Sequence, residues 1–220
     1  MKLIDQYADS IHAMQDVGQL FFHRGWSVGT SSNYSVVVNR DPCQLLITAS
    51  GKDKGRLAEE DFVLIDDTGQ PVHAGQPKSS AETLLHCVLA KHAGAGSILH
   101  THSVWGTLLS QYYFSAGGFA MEDYEMLKGL DGVVSHQHTE WVDIFDNTQD
   151  IASLANELSQ RFVDGRAPAH GFLMRQHGLY TWGKTIEDAR RHIEIFEFLF
   201  ECLVRKQSLF GATGSPAGIG

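Results

Sequence analysis

The stretch Ile98-Leu99-His100-Thr101-His102 is an apolar run that closes on two histidines one residue apart. Alternate side chains of a strand point to the same face, so a strand here sets the two imidazoles side by side. Two imidazoles so placed can bind a divalent transition metal. A third candidate lies in Leu173-Met174-Arg175-Gln176-His177-Gly178-Leu179-Tyr180, where His177 and Gly178 separate two strand-like segments. Glycine at a tight turn permits an unusual backbone angle, which would aim the His177 imidazole inward. Three neutral imidazoles with an open coordination position describe a catalytic rather than a structural zinc site.

On either side of this run the apolar periodicity alternates between helix and strand. Ile4, Tyr7, Ile11, Met14, Val17 and Phe21 recur at spacings of three or four, which predicts an amphipathic helix over 3–23 stopped by Arg24-Gly25. Tyr34–Val38 and Leu45–Thr48 read as strands around an Asp41-Pro42 turn, and Phe62–Ile65 as a third. Residues 80–92 read as a helix capped by Ser79 or Ser80. After the histidine strand, 97–102, come a short helix over 104–111 and a stretch, 112–147, that mixes short strands and loops. Ile151, Leu154, Leu158 and Phe162 mark another helix. Gly171–Arg175 and Leu179–Trp182 form a hairpin, and a last helix from Ile186 to about Gln207 opens on the cap Thr185-Ile186-Glu187-Asp188. This order suits one α/β domain over 1–208 with a mixed or mostly antiparallel sheet covered by helices, followed by a flexible Gly-rich tail over 209–220. No G-x-G-x-x-G joins a strand to a helix, which argues against a Rossmann domain.

The 220 residues carry a formal charge of −9, which disfavours nucleic acid as a partner. A small anion is still accessible to a few local donors. Cys43, Cys87 and Cys202 are scattered and form no C-x-x-C pair, which speaks for a reducing compartment and against a disulfide framework. No signal peptide and no membrane-length apolar run is visible, so the expectation is a soluble cytoplasmic protein without a membrane partner.

His136-Gln137-His138 repeats the H-x-H spacing, and spacing alone does not choose between the two pairs. The apolar Ser97-Ile98-Leu99 ahead of the first pair favours it, because a buried strand end is a rigid platform. Two loops, Gly29-Thr30-Ser31-Ser32-Asn33 and Ala49-Ser50-Gly51-Lys52-Asp53-Lys54, offer hydroxyls and free backbone N–H groups suited to an anion. Lys78-Ser79-Ser80 at a helix start adds a third set. Neither glycine loop is a Walker motif. The carboxylates of interest are Glu82, in the first turn after Ser79-Ser80, and Glu125, in Asp123-Tyr124-Glu125-Met126-Leu127-Lys128-Gly129.

Gly29-Thr30-x-x-Asn33, Ala49-Ser50-Gly51, Ser79-Ser80-Ala81-Glu82, His100-x-His102 and Gln176-His177-Gly178, in this order over roughly residues 5–207, together resemble the class II aldolase/adducin-head family. The resemblance implies a three-layer α/β/α sandwich around a mostly antiparallel central sheet. It implies Zn2+ held by His100, His102 and His177, which leaves His136 and His138 as a nonligand pair. It implies a homo-oligomer, a tetramer, with sites near subunit contacts, and a small phosphorylated ketose as substrate. Asn33, Ser50, Gly51, Ser79 and Ser80 match the family's phosphate-holding positions, with Lys54 as an addition.

Members share an enediolate intermediate. The segments Glu125-Met126-Leu127-Lys128-Gly129 and His177-Gly178-Leu179-Tyr180-Thr181-Trp182-Gly183 resemble the branch that dehydrates 5-methylthioribulose 1-phosphate in methionine salvage. There Glu125 would move the proton, and Glu82 would line the site at the position where aldolases of the family place their acid. The alternative is a sugar-phosphate aldolase or 4-epimerase on the same scaffold. A metal-free interaction module is disfavoured by the presence of all three histidines and both carboxylates.

Overall fold

A computed structural model describes residues 2–210. Its strands are β1 (Asn33–Arg40), β2 (Cys43–Thr48), β3 (Phe62–Asp66), β4 (Ser97–Thr101), β5 (Gly118–Glu122), β6 (Thr139–Phe145), β7 (Gly171–Met174) and β8 (Leu179–Gly183). Its helices are α1 (Leu3–His23), α2 (Thr83–His92), α3 (Val104–Tyr112), α4 (Ile151–Val163) and α5 (Ile186–Phe210). One sheet takes the order β3-β2-β1-β4-β8-β7-β6-β5, with β4 and β8 central. Every neighbouring pair is antiparallel except β6 and β7, which run parallel, so the sheet is mixed.

The alternation of side chains across β4 shows how the layers form. Leu99 packs with Ile11, Met14 and Phe21 of α1, Leu109 of α3 and Phe196 and Phe200 of α5. Ile98, on the other face, packs with Leu85 and Leu89 of α2 and Leu154 and Leu158 of α4. The result is α/β/α, three layers with the histidine strand in the middle. Each fully buried Leu, Ile or Phe contributes about 1.5–3 kcal/mol through the apolar area it removes from water.

Several boundaries differ from the sequence reading. Helix α2 starts at Thr83 rather than near residue 80. Its N-cap is Glu82, which makes no side-chain cap bond, and Ser80 instead receives the Thr83 N–H on its carbonyl. Strand β4 ends at Thr101, and the His102 N–H leaves the sheet to donate to the Trp26 carbonyl at 2.7 Å. Helix α5 continues to Phe210, so residues 209 and 210, expected in a tail, are helical. The rest of that expected tail, 211–220, lies outside the described residues. The cap at its start is as expected, with Thr185 and Asp188 exchanging backbone N–H bonds. No helix among the described residues is long and apolar enough to cross a membrane.

Candidate functional site

Asn33, His100 and Tyr180 stand in one row across β1, β4 and β8. The row fixes the first ligand. The Tyr180 ring stacks on His100 with centroids 4.0 Å apart, and His100 Nδ1 donates to the Leu179 carbonyl at 2.9 Å. A carbonyl only accepts, so His100 carries its proton on Nδ1 and presents a bare Nε2. That atom lies 2.8 Å from His102 Nε2.

The β7–β8 turn brings in His177, by a device other than the expected glycine angle. The left-handed residue is Gln176, with φ of 53°. Gly178 serves instead by lacking a side chain, because a Cβ there would stand 2.0 Å from the Thr101 carbonyl oxygen and 2.9 Å from the His100 ring. The His177 ring reaches 5.0 Å from His100 and 4.5 Å from His102, centroid to centroid.

One nitrogen from each of the three histidines lies within 4.8 Å of the others. A tetrahedral zinc with bonds of about 2.0 Å has ligand–ligand edges of about 3.3 Å, so these donors fit a metal after small ring movements. His177 Nδ1 is buried without a hydrogen-bond partner among the described residues, as is the Tyr180 hydroxyl. Burial and the neighbouring imidazoles hold His100 well below the usual histidine range, and burial beside His177 lowers His102 to about 4. Neutral imidazole is the form that ligates.

Glu82 sits against this cluster. Its Oε1 is 3.1 Å from His177 Nε2 and its Oε2 3.7 Å from His100 Nε2. Asn33 Nδ2 donates to Oε2 at 2.7 Å. Burial alone would raise the carboxyl. The His177 hydrogen bond, the two imidazoles and Asn33 outweigh it and hold Glu82 well below the usual carboxylate range.

Behind Asn33 a chain of bonds fixes its orientation. Its Oδ1 accepts from His86 Nε2, and His86 Nδ1 faces the Ser35 hydroxyl at 2.7 Å. The amide oxygen only accepts, so the buried His86 is protonated on Nε2 and Nδ1 takes the Ser35 proton. Burial lowers His86 to about 4, which keeps it in this neutral form.

The three candidate anion loops converge beside the cluster. Ala49 and Ser79 form an antiparallel bridge, the Ser50 N–H donates to the Lys78 carbonyl at 2.9 Å, and Asn33 Nδ2 also reaches Ser80 Oγ at 3.1 Å. Gly51 has φ of 71° and open space around it. Lys54 is 1% exposed. Its ammonium donates to the Lys52 carbonyl at 2.6 Å and the Thr30 carbonyl at 3.5 Å. Burial pulls it down to about 8 against the pull of Asp53 and Asp61. On the other side of Glu82 and His177 a cavity of about 330 Å³ opens toward Asn147, Thr148 and Asp150 at the start of α4.

Glu125 is not part of this assembly within its own chain. It opens a 3-10 turn, Glu125–Gly129, packed beside α5, is 70% exposed, and pairs with Lys128 and, at 3.8 Å, with His136. The second H-x-H pair has separate partners, since His138 binds the buried Glu140 while His136 faces Glu125. Sequence reasoning missed His86 and Tyr180 as members of the site. For Tyr180 the signal is the strand register that sets Asn33, His100 and Tyr180 in one row, and for His86 it is the bond from α2 to Asn33, neither of which is visible in a single sequence. It also missed Glu197, a fully buried α5 acid that accepts from Thr101 Oγ1 beneath the histidine strand.

Residues 12–204 match the family described as Class II Aldolase and Adducin N-terminal domain. The methylthioribulose-1-phosphate dehydratase of Marinobacter nauticus is 44% identical over 201 residues, covering 90% of this chain and 94% of the relative. That of Pseudomonas aeruginosa is 45% identical over 195 residues, covering 88% and 93%. Among solved structures, the L-fuculose-1-phosphate aldolase of Thermus thermophilus superposes with a TM-score of 0.70 at 21% identity, over 94% of this chain and 99% of that one.

Proposed function

This chain belongs to the class II aldolase and adducin N-terminal domain family, and from that premise we propose that it converts 5-methylthioribulose 1-phosphate into 2,3-diketo-5-methylthiopentyl 1-phosphate and water. It is a hydro-lyase. The observation that carries the reading is the likeness to dehydratases at 44–45% identity over nearly the whole length of both chains. The place of the reaction is methionine salvage, in the cytoplasm.

The residues divide the work as follows. His100, His102 and His177 would hold zinc, which would supply Lewis acidity for the negative charge that develops on the substrate. Glu82, kept anionic by Asn33 and the imidazoles, orients His177 and lines the site. Lys54, with Asn33, Ser50, Gly51, Ser79 and Ser80, holds the phosphate; the Lys54 ammonium bonded to carbonyls of two of the loops, and the third loop joined to both of them through Ser80–Asn33 and Ser79–Ala49, support this assignment. Glu125 takes the C3 proton and delivers it to the C4 hydroxyl, which leaves as water.

Because Glu125 is exposed and clear of its own chain's cluster, this role assigns it to the site of a second copy in a homo-oligomer, a tetramer. Lys128 now holds it below the usual carboxylate range. Burial against a neighbouring copy raises it toward the neutrality that acid/base work needs.

Phosphorus NMR of the products made by the zinc-loaded protein tests the reading. A diketo phosphate is the expected product. Dihydroxyacetone phosphate would instead mean C3–C4 cleavage, the second reading, which the contact between Glu82 and His177 favours because aldolases of the family place their acid there.

A further inference from the structure

Away from the three-histidine cluster a second group of titratable side chains surrounds Glu140, which β6 places 1% exposed. His138 Nε2 lies 2.8 Å from its Oε2, and His170 Nδ1 lies 3.0 Å from both of its oxygens. The other nitrogen of His170, Nε2, lies 2.8 Å from the Asp131 carbonyl oxygen. That oxygen can only accept, so Nε2 carries a proton. The carboxylate opposite Nδ1 also only accepts unless it is itself protonated. The pair therefore holds one proton more than a neutral imidazole and a carboxylate, as an imidazolium beside an anion.

The neighbouring His192 is fixed in the opposite state. Its Nδ1 donates to the Trp182 carbonyl at 2.8 Å, and its Nε2 accepts the Asp131 N–H at 3.0 Å, so it is neutral. Asp131 is thus gripped on its carbonyl by His170 and on its amide by His192. Arg191 adds a bond from Nε to the Gly129 carbonyl at 2.9 Å. Gly129 ends the 3-10 turn that Glu125 opens, and a side chain at Gly129 would collide with Ile195 of α5. The charged groups around His170 are Glu140 from β6, His138 ahead of it, the Asp131 carboxylate with Lys184 at 3.6 Å, and His192 and Arg191 from α5. Burial disfavours the His170 charge, but the bonds and charge of Glu140 and the Asp131 carbonyl outweigh it and raise His170 above the ordinary histidine range.

We propose that the proton shared by His170 and Glu140 is a positioning device for the segment that carries Glu125, locking residues 129–131 against α5 and so setting the reach of the acid/base. The inference rests on the reading of Glu125 given above. When the proton leaves at alkaline pH, a neutral His170 can donate to Glu140 or to Asp131 but not to both, and the lock opens. Glu140→Gln removes the need for the proton. Its amide N–H donates to Nδ1 while Nε2–H stays on Asp131, so the same contacts persist without charge.

The test compares native protein, His170→Ala and Glu140→Gln, all zinc-loaded, by amide hydrogen exchange of residues 125–133 corrected for intrinsic rates, and by kcat and KM. We expect the native segment to exchange about tenfold faster at about pH 9 than at about pH 6.5. We expect Glu140→Gln to lose that dependence and keep native kcat near neutrality. His170→Ala is expected to exchange fast at both pH values, with kcat about tenfold lower and KM and zinc content within about twofold of native. If His170→Ala does not fold, Glu140→Gln carries the test alone. Native-like exchange and kcat in His170→Ala, or the native alkaline opening in Glu140→Gln, would overturn the proposal. Full turnover by Glu125→Gln would sink the Glu125 assignment separately, while the exchange data would still judge His170.

Discussion

Asn33 Nδ2 donates to Glu82 Oε2 at 2.7 Å across 49 residues of sequence, which ties the first residue of β1 to the N-cap of α2. The bond explains why Glu82, sited where a helix normally takes a capping contact, makes none. Its carboxylate is turned to the histidines, and Asn33, itself fixed by His86, holds it there. Asn33→Ala is therefore expected to loosen Glu82 and the rings it orients. Removing such a support from a metal site costs about 10–100-fold in affinity or activity. Zinc titration with a competing chelator, beside kcat, checks this. Native affinity and native kcat together would mean that the histidines are held by packing alone.

Lys54, 1% exposed, lies under the anion loops, and its ammonium is lowered to about 8, against 10.5 when free. The unfolded chain binds more protons than the folded one between those values. The charged form thus costs stability below about pH 8, and stability is regained as pH rises from about 8 toward 10.5. The cost is of the order of 3 kcal/mol. Lys54→Met should then raise the thermal midpoint at pH 7 while raising KM for the phosphorylated substrate. Unfolding curves and KM must move in these opposite senses. A destabilised variant with native KM would make Lys54 a structural residue only.

How far the sequence carried the reading depended on period and register. The helices over 3–23, 151–162 and 186–207 were legible because their apolar residues keep a 3.6 period over several turns. His100, His102 and His177 were legible because a strand end and a turn each put histidine beside a glycine or an apolar run. Residues 112–147 were not, because β6 buries Glu140 where the alternation calls for an apolar residue, and the short β5 buries only Gly118, Phe119 and Met121. Tyr180 and His86 escaped because their roles come from neighbours 80 and 53 residues away, His100 and Asn33. Glu125 was named from a motif, and the fold of one chain leaves it on the surface.

Glu197 gives a second pH-dependent test, of opposite sign. It is fully buried, raised to about 7 by burial against the pull of Ser103 and Thr101, and its Oε2 has no partner among the described residues. A free glutamate titrates near 4.5, so the folded state holds the extra proton between about 4.5 and 7. The stability that neutral Glu197 supports is complete below about pH 4.5 and is lost as pH rises through about 7. Glu197→Gln keeps a neutral side chain of the same length, so it should stabilise the protein at pH 8 by up to about 3 kcal/mol and change little at pH 4. Denaturant midpoints at the two pH values decide the matter. An equal change at both would show that the group does not titrate in the folded state.

Glu125→Gln isolates the acid/base function from metal binding, because the side chain touches Lys128 and His136 and none of the three cluster histidines. General acid–base groups contribute about 10²–10⁴-fold, so kcat should fall by that order with zinc content unchanged. His100→Ala should fail for the opposite reason, having lost a metal ligand while keeping Glu125. If Glu125 serves the site of a neighbouring copy, mixing the two inactive proteins under conditions that exchange subunits must create some sites with an intact cluster from one chain and an intact Glu125 from the other. Activity should reappear on mixing and rise to a plateau as exchange completes. If the mixture stays as inactive as its components while subunits demonstrably exchange, Glu125 does not act across copies and its place in the reaction is lost.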